Sequence, residues 1–150
     1  MKTLVLICAL FTSLTSFGFE YPVKNYQYIS DWEYIDEVER RDKFVVMVFS
    51  SRYCLERTIV DRGCFLFERK FDYYIPSLSD KIKIVGFNTY FENYKIVNQF
   101  MITQTPLIII MKNGKQVDRL EPDFQRPEYN RMTWEDRFLQ LVISKLYQIR

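Results

Sequence analysis

The apolar residues of this chain fall into blocks with different periods. Residues 43–50, KFVVMVFS, form one short, β-branched apolar run. That pattern predicts a central strand buried on both faces. Further on, Cys64, Phe67, Phe71, Tyr74, Ile75 and Leu78 recur at helical spacing, and Pro76 predicts a kink or an end to that helix. KIKIVGFN (81–88) alternates and reads as a strand, and FENYKIVNQF (91–100) as a short helix. LIIIMKNGKQVDRL (107–120) reads as a hairpin, two strands joined at Asn113-Gly114. Ser30-Asp31-Trp32-Glu33 fits a capping box opening a helix to about Arg41. DFQRPEYNR (123–131) reads as a loop. Thr133 and Asp136 open a last helix, predicted to bury Phe138, Leu141, Val142, Leu146 and Ile149 on one face. The tyrosines and phenylalanines of FDYYIP and NTYFENY are read as core residues with hydroxyls at its edge.

The predicted order is helix, strand, helix, strand, helix, strand, strand, helix. Strands separated by helices pair in parallel through right-handed crossovers, and the hairpin adds antiparallel pairing. The expected fold is α/β, a central mixed sheet of about four or five strands flanked by helices. No repeat, low-complexity tract or linker divides it.

Composition narrows the chemistry. A chain of 150 residues, 48 % hydrophobic and 17 % aromatic, has the material for one packed core. Lys and Arg number 21 against 19 Asp and Glu, so no charge excess draws it to nucleic acid or anionic membranes. Histidine is absent, which excludes Ser–His and Cys–His nucleophile pairs. With three cysteines and no trusted acidic spacing, neither a metal nor another cofactor is expected.

The first residues, MKTLVLICALFTSLTSFGFE, combine Lys2, an apolar stretch from Leu4 to Phe11, and small residues at Ser16 and Gly18. That is the layout of a signal peptide cleaved after Gly18, and the apolar stretch is too short to span a bilayer. The expected organisation is a signal peptide at 1–18 and a single domain at 19–150. No later stretch reaches membrane-spanning length. Export places the domain in an oxidising compartment, the endoplasmic reticulum lumen or beyond, where an even pair of thiols tends to be joined. The chain ends LYQIR, not a KDEL-type signal.

Cleavage leaves Cys54 and Cys64, in YCLERTIVDRGC. Their spacing leaves open a redox pair, a structural bridge, or two thiols that never meet. Three local matches add to it. VVMVFSSRYC resembles the thioredoxin family's strand leading to W-C-x-x-C, with Phe49 at the place of the family's aromatic residue and Tyr53 at that of its Trp. FMITQTPLIIIMKNGK resembles the family's Y-x-I-x-x-x-P-T-L-L-L-F-K-N-G, with Phe100, Ile102, Thr105, Pro106 and Asn113-Gly114 in register. RGCFLFERKF resembles the helix that begins at the family's second Cys. The likeness covers about residues 30–150.

The resemblance implies a thioredoxin-like fold and a cis bond at Thr105–Pro106, whose preceding peptide offers backbone groups to an extended substrate chain. It implies Cys54 as nucleophile and Cys64 as resolving thiol, with Tyr53, Thr105 and Pro106 on the substrate side. Two departures stand beside it. CxxC has become C-x9-C, which draws Cys54 away from the helix whose N-terminus would stabilise its thiolate. Arg52, Arg57 and Arg62 either compensate for that or form a solvated face. Val48 occupies the place of the family's buried Asp. Two readings fit these residues. One is a secretory-pathway thiol–disulfide oxidoreductase or isomerase acting on polypeptides. The other is a redox-inactive binding or chaperone domain pinned by a structural Cys54–Cys64 bridge.

Overall fold

The computed structural model describes residues 23–39, 42–51, 62–78, 80–89, 93–125 and 132–149. The signal-peptide expectation, Tyr53, Cys54, Arg52 and Arg57 lie outside the described residues.

Five strands form one sheet: β1 (Gln27–Tyr28), β2 (Phe44–Ser50), β3 (Ile82–Asn88), β4 (Leu107–Lys112) and β5 (Lys115–Leu120). Their order is β1-β3-β2-β4-β5. β3 runs parallel to both β1 and β2, while β4 is antiparallel to β2 and to β5. The helices are α1 (Arg62–Tyr74), α2 (Tyr94–Gln99) and α3 (Trp134–Gln148). Around this mixed sheet they give the thioredoxin-like fold.

The predicted apolar run became the central strand, and from Val45 to Ser50 it is buried without interruption. Its side chains alternate between two layers. Val46 and Val48 pack with Ile108, Ile110, Phe67, Phe71, Phe138 and Val142, under α1 and α3. Val45, Met47 and Phe49 pack with Val85, Phe87, Leu107, Ile109, Ile96 and Phe100 on the opposite face. Pro76 acts as predicted: α1 stops at Tyr74 and continues as a single 3₁₀ turn, Ile75–Ser77. The hairpin turns on Asn113 and Gly114, both at positive φ (51° and 70°), as a two-residue connection of right-handed twist requires.

Four expectations need correction. Half of the capping box forms: Glu33 Oε2 accepts from the amide and hydroxyl of Ser30, each at 2.9 Å, while the Glu33 amide donates to the Ser30 carbonyl and not to its hydroxyl. It leads into a short π-helical turn, Ile35–Glu39, in place of the expected α-helix, whose predicted end at Arg41 lies outside the described residues. β1 was not anticipated; with two residues it is too short for any periodicity to register. On α3 the buried stripe is Phe138, Leu139, Val142 and Leu146, while Leu141 is 43 % exposed. Leu139 lies one residue beyond Phe138 and three short of Val142, so it completes the inward face that Leu141 misses. Finally, Tyr73 and Tyr94 are 81 % and 72 % exposed, so those aromatic clusters contribute less to the core than read from sequence. Among the described residues, no helix is long and apolar enough to cross a membrane.

Candidate functional site

Parallel strands leave their chemistry at their carboxyl ends, where the connections to helices begin. β2 ends at Ser50 and α1 begins at Arg62, so Cys64 sits in the first turn of α1. The register pairs Phe49 with Leu107. Thr105 and Pro106, just ahead of Leu107, therefore lie at the same end of the sheet as Ser50. The Thr105–Pro106 bond is cis, in agreement with the resemblance.

Cys64 is fully buried and disulfide-bonded. Gly63, before it, has no room for a side chain: a Cβ there would lie 2.5 Å from Trp134 Cζ2. The indole of Trp134 thus covers the start of α1, with Phe124 edge-on to it at 4.8 Å between ring centroids.

One turn below Cys64 stands Glu68, a carboxyl with no exposed surface. Residues four apart on a helix share a face, and Glu68 Oε1 lies 3.9 Å from Cys64 Sγ. Ser50 Oγ hydrogen-bonds Glu68 Oε1, and Tyr28 Oη hydrogen-bonds Glu68 Oε2. Tyr28 Oη also meets Ser50 Oγ at 2.9 Å, and Tyr26 Oη reaches Glu68 Oε2 at 3.4 Å. Burial, then the nearby Glu68 carboxyl, push the Tyr26 and Tyr28 hydroxyls well above the usual tyrosine range, so both stay protonated donors. At about 4 Å, two full charges in a partly solvated protein environment repel by about 4 kcal/mol. The field of a helix N-terminus favours an anion by only about 0.3–1 kcal/mol. An ionised Glu68 would therefore oppose a thiolate at Cys64 more strongly than the helix N-terminus favours one.

The network depends on small details of sequence. Tyr28 pairs with Gly86 across β1 and β3, and a Cβ on Gly86 would lie 2.8 Å from the Tyr28 ring. Asp72, a turn beyond Glu68, fixes the approach to β1. Its Oδ1 accepts from the amides of Lys24 (3.0 Å) and Asn25 (2.8 Å), and Asn25 Nδ2 donates to its Oδ2 at 3.1 Å.

The loop before Pro106 has its own support. Arg119 of β5 donates through Nη1 to the Phe100 carbonyl at 2.6 Å and through Nη2 to the Met101 carbonyl at 3.3 Å. Its Nε meets Glu121 Oε1 at 2.5 Å, and Gln104 Nε2 donates to Glu121 Oε2 at 3.0 Å. Thr105 is half-buried and Pro106 buried.

Of the residues singled out from sequence, Cys64, Thr105 and Pro106 share one end of the sheet, while Tyr53 and Cys54 lie outside the described residues. Sequence reasoning missed Glu68, Ser50, Tyr28 and Arg119. A signal for Glu68 was present: it interrupts the stripe of Cys64, Phe67 and Phe71 with an acid four residues after the cysteine. Val48 does lie in the layer under α1, and the buried acid of that layer comes from the helix instead. Among the described residues no group of three His, Cys, Asp or Glu is arranged to hold a metal ion.

The strands and helices thus define a chain of thioredoxin-like fold. A solved structure of similar fold is the thioredoxin Mala s 13 of Malassezia sympodialis, described as a member of a pan-allergen family. The two match with a TM-score of 0.53 and 21 % identity, over 81 % of this chain and 90 % of that one. No protein-family profile matches the chain, and no curated protein matches it in sequence.

Proposed function

We propose that the chain is a secretory-pathway thiol–disulfide oxidoreductase acting on polypeptides, a single domain at 19–150 released from a signal peptide at 1–18. Cys54 and Cys64 form its redox pair. Cys54 attacks a substrate disulfide as thiolate, and Cys64 resolves the mixed disulfide, leaving the pair oxidised and the substrate reduced. Tyr53, Thr105 and Pro106 border the substrate chain. The observation that carries this reading is Cys64 itself: disulfide-bonded, in the first turn of α1, and set 3.9 Å from a buried carboxyl. Arg119 supports the reading by holding the loop ahead of Pro106.

The full burial of Cys64 favours a second reading, a structural bridge in a binding domain. Closing a loop of this size stabilises by about 3 kcal/mol. The experiment is insulin reduction at limiting thiol, beside thermal unfolding of the same samples. For the oxidoreductase, Cys54→Ser abolishes turnover and leaves unfolding nearly unchanged. A wild-type protein without turnover, and a Cys54→Ser variant that unfolds several degrees lower, overturn it in favour of the bridge.

A further inference from the structure

α1 carries a second stripe beside the buried one of Cys64, Phe67 and Phe71. Leu66, Arg69, Lys70 and Tyr73 recur at the i, i+3, i+4 and i+7 positions of one helix face. α3 sets Asp136 and Leu139 against that face, and with Tyr74 these residues line a groove of about 490 Å³. Leu66 is half-buried and Leu139 buried, so the floor is apolar. Tyr73, largely exposed, stands edge-on to Tyr74, with ring centroids 5.8 Å apart and an interplanar angle of 88°. Apolar side chains exposed singly are ordinary on a protein surface. Two adjoining aromatic rings beside an apolar floor are the composition of a contact surface.

The charges of the groove do not cancel. Lys70 Nζ meets Asp136 Oδ1 at 2.5 Å, and the Thr133 hydroxyl donates to Asp136 Oδ2 at 3.1 Å, so that pair neutralises itself. Arg69 has only a ring beneath it: its guanidinium lies 5.7 Å from the Phe65 centroid, and no carboxylate among the described residues pairs with it. A guanidinium resting on a ring retains N–H donors that a carboxylate takes in pairs.

We propose that the α1–α3 groove docks a segment of a partner protein in which a carboxylate side chain adjoins an apolar one. The carboxylate pairs with Arg69, and the apolar side chain packs on Tyr73 over Leu66 and Leu139. Charge complementarity selects the acid, and the tyrosine rings and leucine floor select the apolar anchor. Small-molecule sites enclose most of their ligand, whereas this groove is open along Tyr73. A segment carried on a larger surface is the occupant that covers it. None of the residues placed at Cys64 or beside Pro106 lines the groove, so the inference goes beyond thiol exchange and does not rest on it.

The test is amide NMR of the full chain with two blocked pentapeptides. One alternates aspartate with phenylalanine and leucine; the other has asparagine in place of each aspartate. The acidic peptide is expected to shift Leu66, Arg69, Tyr73 and Leu139 saturably and to bind about fivefold more tightly than the asparagine peptide, the factor an exposed ion pair supplies. Arg69→Gln is expected to remove that difference with the circular dichroism unchanged, and Tyr73→Ala to weaken both peptides. Salt at about 1 M, where the Debye length is ~3 Å, is expected to narrow the gap between the peptides. Affinities that agree within about twofold overturn the proposal, as do shifts that never saturate, shifts that map to Thr105 and its neighbours, or a Tyr73→Ala chain that binds as wild type does. Sedimentation of the chain alone gives the remaining outcome: self-association abolished by Arg69→Gln makes a second copy the occupant and overturns the partner reading. Neither peptide contains cysteine, so a failed insulin assay leaves this result standing, and a failed titration leaves exchange standing.

Discussion

The two faces of β2 show how one strand serves two environments. Toward α2, Val45, Met47 and Phe49 meet an apolar layer in which Phe49 stacks on Phe87 at 5.3 Å. Toward α1, Val46 and Val48 are equally buried, yet the next residue in that register is Ser50, which meets Glu68 and Tyr28. Both layers are closed to water. One gains its stability from area and shape, the other places a satisfied polar network beside a sulfur. The difference is that the apolar face tolerates no loss of volume, whereas the polar face tolerates no loss of a proton donor.

The largest predicted effect lies on the apolar face. Phe49→Ala leaves a cavity against Phe87 and Phe100 and is expected to cost about 3–5 kcal/mol in denaturant unfolding. A smaller loss would show that this layer can collapse around the gap.

Gly86→Ala acts on the other face, though it adds only a methyl. Its Cβ would displace the Tyr28 ring from above the strand, at a cost of about 1–3 kcal/mol. The shift of Tyr28 should also appear as a changed tyrosine environment in near-ultraviolet circular dichroism.

A matched pair sharpens the contrast. Tyr28→Phe removes a donor from buried Glu68 and is expected to cost about 1–3 kcal/mol. Tyr34 belongs to the apolar layer, and its hydroxyl makes no hydrogen bond of good geometry among the described residues, with the Gln99 side chain as a marginal polar neighbour. Tyr34→Phe is therefore expected to be neutral or stabilising. Equal losses in the two variants, measured by urea unfolding, would erase the distinction between the faces.

The smallest effect is at the α1–α3 surface. A hydrogen bond from Lys70 holds the Asp136 carboxyl below its ordinary value of 3.8. A depressed carboxylate stabilises the fold above that value, and the contribution fades as pH falls through the folded one. Both groups are more than one-third exposed, so Lys70→Ala should cost at most about 1 kcal/mol near neutrality. Acid unfolding curves of variant and wild type should converge below pH 3.8.

Much of this architecture was legible in the chain. The central strand, the helix ended by Pro76, the Asn113-Gly114 turn and the last helix each carry a local signal that agrees with their packing. The site was legible only where it is local. Cys64 and Thr105-Pro106 stand in recognisable segments, but Glu68 acquires meaning from Ser50 and Tyr28, which are 18 and 40 residues away. β1 offered two residues, placed by pairing with Gly86 and by the hold of Asp72 on Lys24 and Asn25 just ahead of them, contacts that no periodicity encodes. Leu141 was misjudged because a helix stripe can lean to either side until its neighbour is known.

The most direct test of exchange at the cysteine pair is its redox midpoint, read by equilibrating the protein in glutathione buffers and tagging free thiols for mass spectrometry. A midpoint between about −270 and −120 mV, with Cys54 and Cys64 tagged together, is the predicted result. A bridge that stays closed below about −300 mV would contradict it, as would two cysteines tagged independently.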